Sequence, residues 1–135
     1  MKIILDTNVI IAAFATHGLC HSVFELCIDR FEIYLSKKII EEIERNLKKK
    51  LELPKKIIED ISIYLKENTI IVEVENIPKG ACRDPEDDFI LGLIDKIKAD
   101  YLITGDEDLL TIKTYRKTKI TTLRQFWEII RNNKL

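Results

Sequence analysis

A net charge of either sign is what this sequence most lacks. Its 22 Lys and Arg stand against 23 Asp and Glu, a formal balance of −1 over 135 residues. Without a surplus of positive charge the chain does not coat nucleic acid by its field alone. An enzyme acting on nucleic acid is not excluded, because bound metal ions supply the missing charge. Cysteine is scarce and odd in number: Cys20, Cys27 and Cys82 have no close paired spacing, which argues against a disulfide framework. Cys20 and Cys27, a heptad apart on an expected helix, read as small buried apolar residues. His17 and His21 stand one helical turn apart beside them. Gly18 falls between the two and no second ligand pair follows, so a zinc site is disfavoured.

Apolar runs long enough to cross a bilayer are also missing. Met1-Lys2 leads straight into Ile3-Ile4-Leu5 with no signal-like segment between. The expectation is a cytoplasmic protein without a membrane association. Repeats, low-complexity tracts and linkers are absent too. With 46% hydrophobic and 33% charged residues, the chain is expected to form a single domain over residues 1–135, with a real core.

What is present is an alternation of strands and helices. Ile3-Ile4-Leu5 is a short continuous apolar run, typical of a strand buried on both faces, and it stops at Asp6-Thr7-Asn8. Val9 to Phe14 opens a helix, and Ser22 to Arg30 is a second. Glu32 to Leu35 reads as a strand, closed by Ser36, a good cap for the next helix. That helix carries Ile39, Ile40, Ile43, Leu47 and Leu51 on one stripe, with Lys48-Lys49-Lys50 at its end. Pro54 opens a further helix bearing Ile57, Ile58, Ile61 and Leu65. Thr69 to Val74 is β-branched and strand-like, and a loop with Pro78 and Gly80 follows over 76–84. Glu86 to Lys98 is helical, Tyr101 to Thr104 and Lys119 to Thr122 are strands, and a helix from Leu123 closes the chain. This order predicts an α/β protein: a three-layer α/β/α sandwich on a mainly parallel five-stranded sheet. In such sheets the functional crevice lies beyond the C-terminal strand ends.

Acidic residues gather at that edge. Asp6 follows the first strand, and Asp106 follows the fourth in Thr104-Gly105-Asp106. Asp84-Pro85-Glu86-Asp87-Asp88 begins the helix leading into the fourth strand, and Glu41 and Glu42 lie early in the helix after the second. Each has a plain structural alternative: Asp6 as a helix cap, Asp84 or Glu86 as first-turn acids opposing the helix dipole, Asp106 in a turn. Four segments delivering acids to one edge favour a shared site. Asp87 lies three, four and seven residues before Ile90, Leu91 and Ile94, bordering their apolar stripe, whereas Asp88 points nearly opposite, toward solvent. Phase does not separate Glu42 from Glu44; Glu42 is nearer the crevice.

The ordered set Ile3-Ile4-Leu5-Asp6-Thr7-Asn8-Val9, Asp84-Pro85-Glu86-Asp87-Asp88 and Tyr101-Leu102-Ile103-Thr104-Gly105-Asp106-Glu107-Asp108-Leu109-Leu110 resembles the PIN-domain family over essentially the whole chain. The resemblance is strongest to its toxin-like branch, the VapC-type toxins of toxin–antitoxin pairs. It implies a metal-dependent ribonuclease in which Asp6, Glu42, Asp87 and Asp106 are the four family acids, with Asn8 and Thr104 as supporting polar positions. Asp84 and Asp88 stand beside them in support. It also implies Mg²⁺ or Mn²⁺ as cofactor, products with 5′-phosphate and 3′-hydroxyl ends, an antitoxin partner and a homodimer. Asp95 stands where the family has a small apolar residue, and is expected to face solvent or a partner.

Clustered carboxylates suit this chemistry because Mg²⁺ and Mn²⁺ prefer hard oxygen ligands. The expected roles are Asp6, Asp87 and Asp106 as ligands and Glu42 orienting or deprotonating water. Lys37, Lys38, Arg83 and the run Lys48, Lys49 and Lys50 are the cations available to RNA phosphates, although a lysine run at a helix end also simply opposes the dipole. Apolar density on the early helices (Val9, Ile10, Ile11, Phe14, Phe24, Leu47) is a second hint of an interface. Other classes fit less well. A phosphoaspartate receiver needs an acid pair after the first strand and an acceptor Asp after the third, where this chain has Glu73-Val74-Glu75. A haloacid-dehalogenase-type phosphatase needs Asp-x-Asp where this chain has Asp6-Thr7-Asn8. A non-catalytic PIN-like RNA-binding or scaffold protein would not need all four acids.

Overall fold

The computed structural model describes residues 1–16, 18–75, 77 and 87–132. His17, Cys82, Arg83, Asp84 and Glu86, and the loop expected around Pro78 and Gly80, lie outside them. In chain order the elements are β1 (Lys2–Leu5), α1 (Thr7–Ala15), α2 (Leu19–Arg30), β2 (Glu32–Ser36), α3 (Lys37–Lys49), α4 (Lys55–Asn68) and β3 (Ile70–Val72). There follow α5 (Asp87–Ile97), β4 (Tyr101–Ile103), α6 (Glu107–Ile112), β5 (Thr114–Tyr115), β6 (Thr118–Thr121) and α7 (Leu123–Arg131).

The strands form one sheet in the order β3-β2-β1-β4-β6-β5, parallel throughout except for the β5–β6 pair. β1 is central, with Ile4 opposite Tyr34 of β2 on one side and Leu102 of β4 on the other. Ile3, Ile4 and Leu5 are wholly buried. Successive strand residues point to opposite faces, so three consecutive buried residues mean that helices cover both faces. The expected three-layer, mainly parallel sandwich is therefore what forms. The sheet has six strands among the described residues, not five. The extra strand, β5, is a two-residue edge strand, too short to show a period. Its turn to β6 runs through Arg116, at a φ of 54°, where the usual Asn-Gly hairpin signal is absent.

The chain travels outward from β1 to β2 to β3 and then jumps back across β1 to β4. The order reverses between β1 and β4, which opens a crevice at their C-terminal ends. Local capping then fixes where the helices begin. The Ser36 hydroxyl accepts from the Ile39 N–H at 3.1 Å, and α3 buries Ile39, Ile40, Ile43 and Leu47. Leu51 leaves that stripe because α3 ends at Lys49, and it is exposed. On α4, Leu65 is buried while Ile57 is exposed, so the apolar face expected there is only partly covered.

Several surplus apolar residues also resolve differently from expectation. Val9, Ile10, Phe24 and Leu47 are buried in the core of the single chain, and Ile11 and Phe14 pack partly against it. They therefore carry no argument for a dimer: the inner helices fill the space over the sheet. Cys27 is buried as expected, and Cys20 partly so. His21 is engaged through Nδ1 with the Ala13 carbonyl at 3.0 Å and through Nε2 with Glu25 at 3.2 Å, as a structural histidine would be. Among the described residues no single helix is long and apolar enough to cross a membrane.

Candidate active site

Asp6 stands just past β1 and caps α1. Its Oδ1 accepts from the Thr7 N–H at 2.8 Å, and its Oδ2 accepts from the Thr104 hydroxyl, just past β4, at 2.7 Å. The helix-capping and site-forming readings of Asp6 thus hold together, since each carboxylate oxygen keeps a second lone pair. Burial is the main reason its carboxyl is raised above the ordinary Asp value. The two hydrogen bonds oppose that shift, and the neighbouring charges of Asp106 and Glu42 add to it.

Thr104, 1% exposed, ties two acids together. While donating to Asp6 it accepts from the backbone N–H of Asp106 at 3.0 Å. Asp106 caps α6, its Oδ1 accepting from the N–H groups of Asp108 at 2.8 Å and Leu109 at 3.4 Å. On the other wall, the Thr7 hydroxyl donates to Glu42 Oε2 at 2.9 Å, and Lys38 stands one turn before Glu42, its ammonium 4.0 Å from Oε1. Glu42 lines the crevice with the other acids, whereas Glu44 does not and accepts from the Ser62 hydroxyl at 3.1 Å.

Asp87 opens α5, and its Oδ2 is buried. Carboxylate oxygens of Asp87, Asp106 and Asp108 lie within 4.8 Å of one another. Asp6, Asn8, Glu42, Asp87 and Asp106 all line one crevice of about 200 Å³. This all-oxygen donor set fits a hard divalent cation.

Asp88 departs from expectation: it is 5% exposed, not turned to solvent. Helical phase places one covered face on α5. The helix is instead covered on several sides, with Ile90 to Ile94 all buried. Asp87, and not Asp88, lines the crevice. Asp95 is not turned to solvent either. It accepts from the Tyr115 hydroxyl at 3.2 Å and pairs with Arg116, tying α5 to the β5–β6 hairpin.

The basic residues divide. Lys38 and Lys50 line the acidic crevice, Lys37 lines the cavity beside it, Lys48 borders a separate groove with Leu53 and Ile58, and Lys49 is exposed. Sequence reasoning did not single out Asp108, Thr7, Asn46 or Phe89, all of which border the site or its acid group. For Asp108 a signal existed, the Asp-x-Asp spacing after a buried strand. Thr7, Asn46 and Phe89 carry no comparable local mark.

Comparison with known proteins agrees with this fold. A family model described as PIN domain matches residues 2–108. The chain belongs to the PIN-domain family. Its fold is similar to a chain in the crystal structure of VapBC2 from Rickettsia felis bound to a DNA fragment from their promoter. That match has a TM-score of 0.62 and 18% identity, and covers 89% of this chain and 97% of the other. No curated protein matches the sequence.

Proposed function

We propose that this protein is a metal-dependent endoribonuclease, the toxin component of a toxin–antitoxin pair acting in the cytoplasm. The observation that carries the catalytic part is the meeting of Asp87, Asp106 and Asp108 oxygens within 4.8 Å, two of these acids, Asp87 and Asp106, lining one crevice with Asp6 and Glu42. Like charges held this close repel one another, and a cation relieves the penalty. Asp6, Asp87 and Asp106, joined by Asp108, would hold Mg²⁺ or Mn²⁺. When bound, the ion supplies positive charge and Lewis acidity toward the phosphodiester.

The chain's own residues do the rest. Thr104 fixes the orientation of Asp6 and, through the Asp106 N–H, the start of α6. Thr7 fixes Glu42 by occupying one lone pair of Oε2, leaving the carboxylate free to take a proton from the attacking water. Water adds to phosphorus, the 3′-oxygen leaves and is protonated, and the products carry 5′-phosphate and 3′-hydroxyl ends. Lys38 and Lys50, on the same crevice, are placed to meet flanking phosphates.

The toxin role is supported by the ordered motif set and by the likeness to a chain of VapBC2. The partner proposed on that basis is an antitoxin that covers the acids by supplying a basic side chain. The test is incubation of purified protein with labelled RNAs in Mn²⁺, in Mg²⁺ and in EDTA, with the product ends mapped. Metal-dependent cleavage that disappears in Asp6→Asn supports the proposal, and an Asp6→Asn variant with wild-type turnover overturns it. Co-expression with the neighbouring gene tests the antitoxin, and light scattering over a dilution series tests the homodimer.

A further inference from the structure

A second cavity, of about 410 Å³, adjoins the acidic crevice. The two share Ser36, Lys38 and Phe89 in their walls. Beyond that wall the lining mixes both signs with one negative charge in excess. Lys37 and Arg45 are met by Glu41, Glu73 and Glu75, and Lys37 already lies 3.8 Å from Glu73. A phosphate gains little from such a lining. A neutral group with both donors and acceptors gains more, because carboxylates accept from exocyclic amines and guanidinium donates to ring and carbonyl acceptors.

The dividing wall has the corresponding form. Phe89 sits in the first turn of α5, two residues after Asp87, and is only partly buried. The Lys38 ammonium lies over one face of its ring, 3.7 Å from the centroid, so that stacking falls to the opposite face and a cation stands at the boundary between the cavities. Aromatic surface beside a cation, with a polar cavity behind it, is the equipment for holding one nucleotide: base on the ring, phosphate on the ammonium.

We infer that this cavity is a nucleobase subsite, in which Phe89 stacks the base of the nucleotide adjoining the bond held at the acids and Lys38 holds the phosphate between the two. The inference rests on the ribonuclease reading and deepens it. A base lying on Phe89 has left its helical stack, so the subsite accepts unpaired RNA and rejects duplex.

The experiment reads binding rather than turnover. Fluorescence anisotropy in Ca²⁺ compares a short single-stranded oligoribonucleotide, its duplex, and a ribose-phosphate strand of equal length without bases. Wild type is expected to prefer the strand with bases by roughly 5- to 150-fold, the range of one base–aromatic stack. Phe89→Ala and the size-conserving Phe89→Leu should both erase that preference while melting near wild type. Phe89→Trp should keep it, with its emission quenched by the strand after subtraction of the Trp127 signal. A base preference that survives in Phe89→Leu, or duplex bound as tightly as single strand, overturns the subsite. Cleavage assays in Mn²⁺ judge the nuclease reading separately, so either can fail while the other stands.

Discussion

Replacing Thr104 by Val removes one hydroxyl and little else, because the two side chains are nearly isosteric. In the fold that hydroxyl donates to Asp6 Oδ2 at 2.7 Å and accepts from the Asp106 N–H at 3.0 Å, at a position 1% exposed. A hydrogen bond to a charged acceptor contributes about 1.5–3 kcal/mol, and a buried N–H left without its acceptor costs about 1–3 kcal/mol. The added methyl returns about 0.8 kcal/mol, and water in the crevice reaches part of Asp106. The net loss should be about 2–4 kcal/mol, or roughly 10 °C in melting temperature for a domain of this size.

The penalty should also depend on pH in a defined direction. Burial holds the Asp6 carboxyl above its ordinary value, so its contribution to the metal-free fold is fully present below the unfolded carboxyl range. That contribution is lost as pH rises through the raised folded value. Thr104 opposes the rise, so Thr104→Val moves the folded value further up. The gap between variant and wild type should therefore be widest where Asp6 is ionised and narrow at acid pH, leaving the share due to the Asp106 N–H. Thermal melts in EDTA across pH measure this, with Thr104→Ser as the control that keeps the hydroxyl. A Thr104→Val variant within about 0.5 kcal/mol of wild type, the scatter of inert substitutions, refutes the reasoning. So does Thr104→Ser if it is equally damaged.

Asp6→Asn should lower cleavage by on the order of 100-fold or more, the scale of one lost electrostatic partner, while Asn continues to cap α1; kinetics and circular dichroism check both parts. Mn²⁺ at about 100 times its dissociation constant should stabilise wild type by about 2.7 kcal/mol, and melts of Asp87→Asn should show a much smaller gain. Asp88→Ala should act in the reverse way, costing about 1–3 kcal/mol in denaturant unfolding because the group it engages loses its partner at a buried position, with less effect on the metal response. Burial pushes the Cys27 thiol up to about 12, so at pH 8 its thiolate fraction is on the order of 10⁻⁴; native alkylation followed by peptide mapping should find Cys27 protected until the chain unfolds.

Local sequence determined the frame of this protein. Ile3-Ile4-Leu5 has no polar face, so it can only be a strand covered on both sides. Ser36 and Asp6 cap helices wherever those helices pack. Asp6 and Asp106, lying directly after buried strands, had to emerge at the edge where parallel sheets place their crevices. Tertiary structure decided what those acids touch. Thr7 reaches Glu42 across 35 positions and Thr104 reaches Asp6 across 98, and no local period encodes either separation. Periodicity reports one apolar face of a helix and is silent about a second. For that reason Asp88 could be assigned to solvent from its phase, although α5 is covered on several sides. The same limit applies to Val9, Ile10, Phe24 and Leu47, whose apolar character was legible while the layer that covers them was set only by packing of helices from distant parts of the chain.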